Sequence, residues 1–535
     1  MPPTRSQSAV LFVLLFAALL LTHLPLLRLP YFWDEAGYYV PAARDLLLTG
    51  SLIPQSTVSN AHPPLLIALL AAAWKLFGYS PLVTRTAMLL VAAFTLLGVF
   101  RLARQVAGEQ VAIASVICTA LYPVFFAQSS LAHLDMAAAG LILWGLSYYL
   151  GHRRWLAILF FALACLAKET AALAPATLFG WTLLSPFRKL GALFHASPDG
   201  ETGHQPSAID YRLLLALAPL ALWFAYHYAR TGYVFGNPEF VRYNLAATLH
   251  PTRILVAFGM RLWQLFGYMN MFVLTLAAAL ALRLGPRPDF SSARRKPGGN
   301  GPRFLLHRPL APPVQAVFWV LILSHAVALA IVGGAVLARY LLPVYPLLII
   351  LCVSTLRRRV PWWRAFVAVV CAGFLIALLV NPPYRFAPED NLAYADFVRL
   401  HQSAERLIEQ RYPARRVLTA WPASDELTRP WLGYVSRPQP VLRIDNFSAP
   451  EMIAAAQARG QYQLALVFST KSEAAPLIPL PAWERIQIRY FGFHRDLDPE
   501  AAARLLGARI VYQRRRSGQW IALLQIETVE NARLR

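Results

Sequence analysis

Between residues 9 and 380 the chain is a succession of apolar stretches, each near the length of a bilayer-crossing helix, separated by short arginine-rich joints. Lipid offers backbone N–H and C=O groups no partner, so a segment that crosses must satisfy them within its own helix, over roughly 20 residues for a core of about 30 Å. The stretches 9–27, 82–101, 110–128, 135–150, 155–167, 171–185, 212–230, 262–282, 314–337, 340–356 and 364–380 read as about 11 transmembrane helices on this criterion, the fifth borrowing flanking residues. Composition agrees. The chain is 57 % hydrophobic and only 14 % charged, where a soluble domain carries about a quarter charged residues. Residues 381–535 differ: they hold 16 of the 27 acidic side chains, against 11 in the first 380. Two domains are therefore expected, a transmembrane domain over 1–380 and a soluble tail over 381–535. No small-residue cleavage pattern follows the first apolar run, which reads as an uncleaved helix.

The net charge of +23 is topological. Its excess sits in Arg101 and Arg104, Arg153–Arg154, Arg188–Lys189, Arg294–Lys296 and Arg357–Arg359, between apolar runs, as the positive-inside rule requires of cytoplasmic loops. No exposed segment interleaves basic and aromatic residues, so no nucleic acid partner is expected. The apolar segment 63–77 is only 15 residues, about 22 Å of helix. Were it to span, the clusters near 101 and 153 would both move outside; it is therefore read as interfacial. The N-terminus then lies inside, and 381–535 lies on the periplasmic, extracytoplasmic side of the cell inner (plasma) membrane. The four cysteines all fall within apolar runs and supply no disulfide framework.

In the tail, 417–420, 441–444 and 464–468 read as short buried strands, and 449–459, after Ser448, as a helix between two of them: a small α/β domain. It carries neither GxGxxG nor a P-loop, so nucleotide binding is not expected, and a role in acceptor docking or stability is.

The rare acids of the membrane domain gather on the outer face. The first outer loop runs Tyr31-Phe32-Trp33-Asp34-Glu35, with interfacial aromatics followed at once by two carboxylates. Adjacent carboxylates point apart, so one would act as a base while the other caps or orients. The plainer alternative makes Asp34 the N-cap of a surface helix running to Leu48 and closed by Gly50. His62 precedes Pro63-Pro64-Leu65 and is either a packing residue or part of a site with Asp34. Asp135 either caps the helix that follows or supports that site. Lys168-Glu169 joins two spans with almost no loop, where charge is costly unless paired or solvated; the two form a structural ion pair or bind an anion. Arg339-Tyr340 sits in an abrupt outer turn, where the guanidinium snorkels to headgroups or holds a phosphate bidentately. Acids, a His, a Lys and an Arg on one membrane face suit attack by a hydroxyl on a lipid-linked phosphate ester.

Taken in order, Asp34-Glu35, His62-Pro63-Pro64-Leu65, Phe77-Gly78, Asp135, Leu166-Ala167-Lys168-Glu169 and Arg339-Tyr340-Leu341-Leu342-Pro343-Val344-Tyr345-Pro346 resemble the GT-C superfamily of membrane glycosyltransferases. The likeness covers roughly residues 9–380 and points to the protein O-mannosyltransferase-like and lipid A aminoarabinose transferase-like families. The resemblance implies a GT-C-like α-helical polytopic fold with interfacial helices. It also implies transfer of a sugar from a polyprenyl-phosphate donor to a hydroxyl of a lipid, glycan or protein, in contact with membrane lipid. Asp34, Glu35 and Asp135 would form the catalytic group, with Asp34 as base or acceptor-orienting residue. His62, Lys168, Glu169, Arg339 and Tyr340 would bind substrate, Lys168 and Arg339 holding the donor phosphate. No cofactor is fixed by the resemblance, and a divalent metal is left open. One departure counts against a metal at the first loop and against aminoarabinose as the sugar: Ala61-His62 stands where many aminoarabinose transferases have Glu-Lys. A transporter or flippase is the alternative, but such proteins show repeated halves and midplane acids, whereas here the acids sit at span ends. A non-catalytic scaffold has no use for them.

Overall fold

Glycine and proline punctuate the helices. Ser80 accepts the Val83 N–H at 3.3 Å, Pro81 sits in the first turn, and the helix Pro81–Ala107 runs on until Gly108 turns the chain at φ 88°. The computed structural model describes residues 5–183, 210–285, 310–471 and 481–527. Among these, Ser6–Leu26, Pro81–Ala107, Tyr211–Thr231, Pro251–Ala281 and Pro312–Ile331 are each long and apolar enough to cross a membrane. Shorter apolar helices, Leu65–Phe77, Glu109–Leu121, Leu134–Leu150, Arg154–Ala167 and Trp363–Leu379, accompany them. Close approach is built in by small residues: a Cβ on Gly140 would come within 2.4 Å of Thr95 Oγ1 on the neighbouring helix. The clusters Arg188–Lys189 and Arg294–Lys296 lie outside the described residues.

Three expected spans are broken. The run 110–128 divides at Tyr122, whose extended ψ of 123° precedes Pro123 and a separate helix Pro123–Gln128. The residue before a proline is driven out of the helical region. The run 262–282 is the second part of a longer segment starting at Pro251, interrupted where Met269 and Asn270 adopt φ of 49° and 63°. The run 314–337 stops at Ile331, before Gly333-Gly334, and Ala338–Leu341 forms a 3-10 turn leading to the helix Tyr345–Arg359.

The tail is an α/β domain on a five-stranded sheet. Strands β1 (Val417–Ala420), β2 (Val441–Ile444) and β3 (Leu464–Phe468) match the expected segments, and Ala449–Gln457 is helical. A hairpin of β4 (Ala508–Arg516) and β5 (Gln519–Ile526) completes the order β2-β1-β3-β5-β4. The first three strands are parallel, Val417 facing both Val441 and Leu464, and β5 runs antiparallel to β3 with Leu464 opposite Gln525.

The tail seats on the loop around Tyr31–Trp33 through aromatic rings. Phe32 and Trp33 pack edge-on against Phe397 of the helix Ala393–Arg411, with centroids 5.3 and 5.6 Å apart, and Trp33 meets Trp421 at 4.9 Å. Tyr434 donates to the Tyr31 carbonyl at 2.9 Å. Gly37 is needed here, since a Cβ would stand 2.8 Å from the Trp421 ring.

Candidate active site

Arg339 is the hub of a cluster of charged side chains. Its 3-10 turn buries it to 1 % exposure and surrounds it with three carboxylates. Nη2 donates to Asp34 Oδ2, Nη1 donates to Glu389 Oε2 at 3.0 Å, and Nε stands 3.6 Å from Asp135 Oδ2. The same Nη1 lies 2.8 and 3.1 Å from the ring nitrogens of His133. His133 Nδ1 is also 2.7 Å from Gln128 Oε1, a pairing that suits a neutral ring donating to Gln128 and accepting from the guanidinium. Lys168 Nζ donates to Asp135 Oδ1 at 2.5 Å and lies 4.0 Å from the Tyr340 ring centroid. Two fixed cations thus face Asp34, Asp135 and Glu389. Burial pushes the Glu389 carboxyl up to about 8 against the pull of Arg339, with Asp34 and Asp390 adding repulsion. Asp390, also buried, is pushed up to about 7 although it accepts a 2.6 Å bond from Tyr268.

A cavity of about 750 Å³ opens beside this cluster, lined by Trp33, Asp34, Tyr39, His62, Lys168, Glu169, Arg339, Tyr340 and Glu389 and, from the tail, Trp421 and Lys471. His62 Nδ1 is 3.2 Å from Glu169 Oε2. Although burial acts to raise it, the Glu169 carboxyl is held at about 2 by the His62 ring and the Lys168 ammonium. His62 and Glu169 satisfy each other, and among the described residues no third His, Cys, Asp or Glu stands with them at metal-ligand spacing.

Of the expected residues, Asp34, His62, Lys168, Glu169, Arg339 and Tyr340 come together on the cavity, and Asp135 stands behind Lys168 and Arg339. Glu35 does not reach it. Its oxygens are taken by Arg85, at 2.5 and 2.9 Å, and by the N–H groups of Ala132 (2.5 Å) and Phe32 (2.8 Å), and it is fully buried. Arg85 also donates to the carbonyls of Ser130 and Pro30, both at 2.9 Å. This pair ties the loop at Pro30–Phe32 to the loop at Ser130–Ala132, and Glu35 does not line the cavity. The capping alternatives fall too: neither Asp34 nor Asp135 makes a cap hydrogen bond, and the segment after Asp34 opens with a buried π-helical turn, Glu35–Tyr39, before Val40–Thr49. Such turns often mark functional positions.

Glu389, His133 and Trp421 join the site without having been expected. Pro388-Glu389-Asp390, two acids shortly after the last apolar run, was the available signal for the first. His133, two residues before Asp135, was available for the second.

Residues 61–196 match the family model described as dolichyl-phosphate-mannose-protein mannosyltransferase. That segment contains His62, Asp135, Lys168 and Glu169. No curated protein matches the chain at a significant level. Among solved structures, the chain is similar to ArnT from Cupriavidus metallidurans. The apo form is 16 % identical over 96 % of this chain and 98 % of that one, and the form bound to undecaprenyl phosphate is 15 % identical over 97 % and 98 %; both give a TM-score of 0.48. The apo oligosaccharyltransferase of Archaeoglobus fulgidus is 13 % identical over 86 % of this chain and 70 % of that one, with a TM-score of 0.40. The family match over 61–196, a stretch that includes His62, Lys168 and Glu169 of the cavity wall, supports the resemblance of this membrane protein to the GT-C glycosyltransferases.

Proposed function

We propose that the chain transfers a glycosyl group from a polyprenyl-phosphate donor to a hydroxyl acceptor, on the extracytoplasmic face of the membrane. The observation that carries this reading is one carboxylate, Asp34, and two fixed cations, Arg339 and Lys168, on the wall of a single cavity. The description of the matched family, which names a lipid-phosphate sugar, points the same way.

In this mechanism the acceptor oxygen attacks the anomeric carbon and gives its proton to Asp34. The bond from that carbon to the donor phosphate oxygen breaks, and polyprenyl phosphate leaves with the electron pair. General-base help of this kind is worth about 10²–10⁴-fold. Arg339 and Lys168 meet the charge that develops on the leaving phosphate, already oriented by Asp135 and Glu389 and so spared reorganisation. A single displacement inverts the anomeric centre. His62 and Glu169 hold each other at the wall, where they contact the sugar or acceptor, and Tyr340 backs the Lys168 ammonium.

The test is direct. Purified protein is offered a panel of polyprenyl-phosphate sugars with lipid, glycan and protein acceptors, and released polyprenyl phosphate is measured. Release that depends on an acceptor supports the reading; no release with any pair in a protein that binds the donors overturns it.

A further inference from the structure

Inside the tail, away from the cavity, His401, Glu405 and Glu426 converge. The first two stand four residues apart on Ala393–Arg411 and share a face; Glu426 comes from the short helix Ala423–Thr428. All three are buried, at 1 %, 0 % and 0 % exposure. One ligand atom from each lies within 4.8 Å of the others. His401 Nδ1 is 2.6 Å from Glu426 Oε2 and 3.6 Å from Glu405 Oε1. Both Glu405 oxygens, Glu426 Oε1 and His401 Nε2 are buried without a hydrogen-bond partner. Among the described residues neither glutamate pairs with a lysine or arginine.

Two carboxylates in a dry interior repel each other, and the single His401 ring can offset at most one of the two charges. A proton shared between them would relieve one charge. A divalent cation relieves both and engages the partnerless oxygens as well. One imidazole and two carboxylates are a donor set suited to Zn²⁺. Phe397 stacks on the His401 ring at 3.9 Å and Phe468 meets it edge-on at 4.5 Å, fixing the ring and excluding water.

We propose that His401, Glu405 and Glu426 hold a divalent transition-metal ion, Zn²⁺ in the first instance, as a structural centre of the tail. It joins the helix carrying Phe397 to the helix that follows Trp421. Both aromatics pack against Trp33, next to Asp34. The ion would therefore clamp the face of the tail that closes the cavity.

Full-length protein purified in detergent, without chelator or added metal, should carry about one equivalent of zinc by elemental analysis. Glu405→Gln and Glu426→Gln should each lower that content at least tenfold, whereas His62→Ala should keep it. The wild-type protein supplies a second readout, independent of how either glutamine variant folds. Chelation should lower its melting temperature, and Zn²⁺ but not Mg²⁺ should restore it. A different transition metal at the same stoichiometry, lost in the same variants, supports the site and changes only the ion. Metal-free wild-type protein whose melting temperature ignores both chelator and Zn²⁺ overturns the proposal in favour of a proton shared by the two glutamates. Metal retained in both variants overturns it too.

Discussion

The Asp34 carboxylate and the Arg339 guanidinium, 305 residues apart in the chain, form an ion pair at the wall of the cavity. Asp34 is the more accessible partner, its side chain 20 % exposed against 2 % for Arg339. The carboxylate is thus open to a ligand while the guanidinium that holds it is buried. Asp34→Asn keeps the size and can still accept from Arg339, but it cannot take a proton at neutral pH. Turnover at saturating donor and acceptor should fall by about two orders of magnitude or more, with the melting temperature nearly unchanged. Near-normal turnover would remove Asp34 from the mechanism.

Glu35 should behave in the opposite way. Glu35→Gln breaks a fully buried ion pair and leaves Arg85 charged without a counter-ion, which costs about 3–5 kcal/mol. The expected result is a strongly lowered melting temperature, with kcat per folded molecule reduced far less than in Asp34→Asn. The double variant Glu35→Gln, Arg85→Met should recover part of the lost stability. A stable Glu35→Gln protein with abolished turnover would return Glu35 to the catalytic group.

Lys168 pairs with Asp135 and also faces the cavity, so the structural and the anion-binding roles separate only in a cycle. Lys168→Met should lose both stability and donor affinity. Adding Asp135→Asn removes the stranded carboxylate and should restore stability, while donor binding stays about 10–150-fold weaker, the worth of one charge-assisted contact of about 1.5–3 kcal/mol. Donor affinity that recovers with stability would confine Lys168 to the ion pair.

Glu389 gives a pH signature. Its carboxyl is raised by burial to about 8, above the unfolded value. A raised group contributes stability that is complete below the unfolded pKa and lost as pH climbs through the folded one. Melting temperature should therefore fall between about pH 5 and 8, partly through Glu389, and Glu389→Gln should flatten that slope. Ionisation above that range also places one more negative charge beside Arg339, so donor KM should rise. An unaltered slope in the variant would refute the assignment.

Topology is open to a simple check. Reporters active only in the periplasm or only in the cytoplasm, fused after residues 300 and 390, should give opposite signals. Matching signals would move the tail, and the reading of the cavity as extracytoplasmic, to the other face.

What the sequence disclosed and what it hid follow from range. Strands β1, β2 and β3 were legible because each is a short apolar run bounded by turn residues. The β4–β5 hairpin was not: three successive arginines, Arg514–Arg516, obscure the alternation, although Ser517-Gly518, with φ of 49° and 75°, is the two-residue turn such a hairpin needs. The cavity residues were legible because charge is rare in a membrane domain, so each survivor drew notice. That Glu35 lies off the cavity was hidden for the complementary reason. Its partner Arg85 lay inside an apolar run, where a lone charge signals a buried counter-ion, and nothing local joins positions 50 residues apart. Glu389 was lost among the many acids of the tail.

The cavity draws its wall from both ends of the polypeptide, Asp34 from the beginning and Glu389, Trp421 and Lys471 from the final third. Synthesis runs from one to the other, and domains made first generally fold first. The loop that carries Asp34 therefore emerges early and must wait, its aromatics bare and Arg339 without its Glu389 contact, until the last part of the chain is made and docks. A premature stop between the last apolar helix and Glu389 would leave the apolar helices in place and still remove Glu389, Trp421 and Lys471 from that wall.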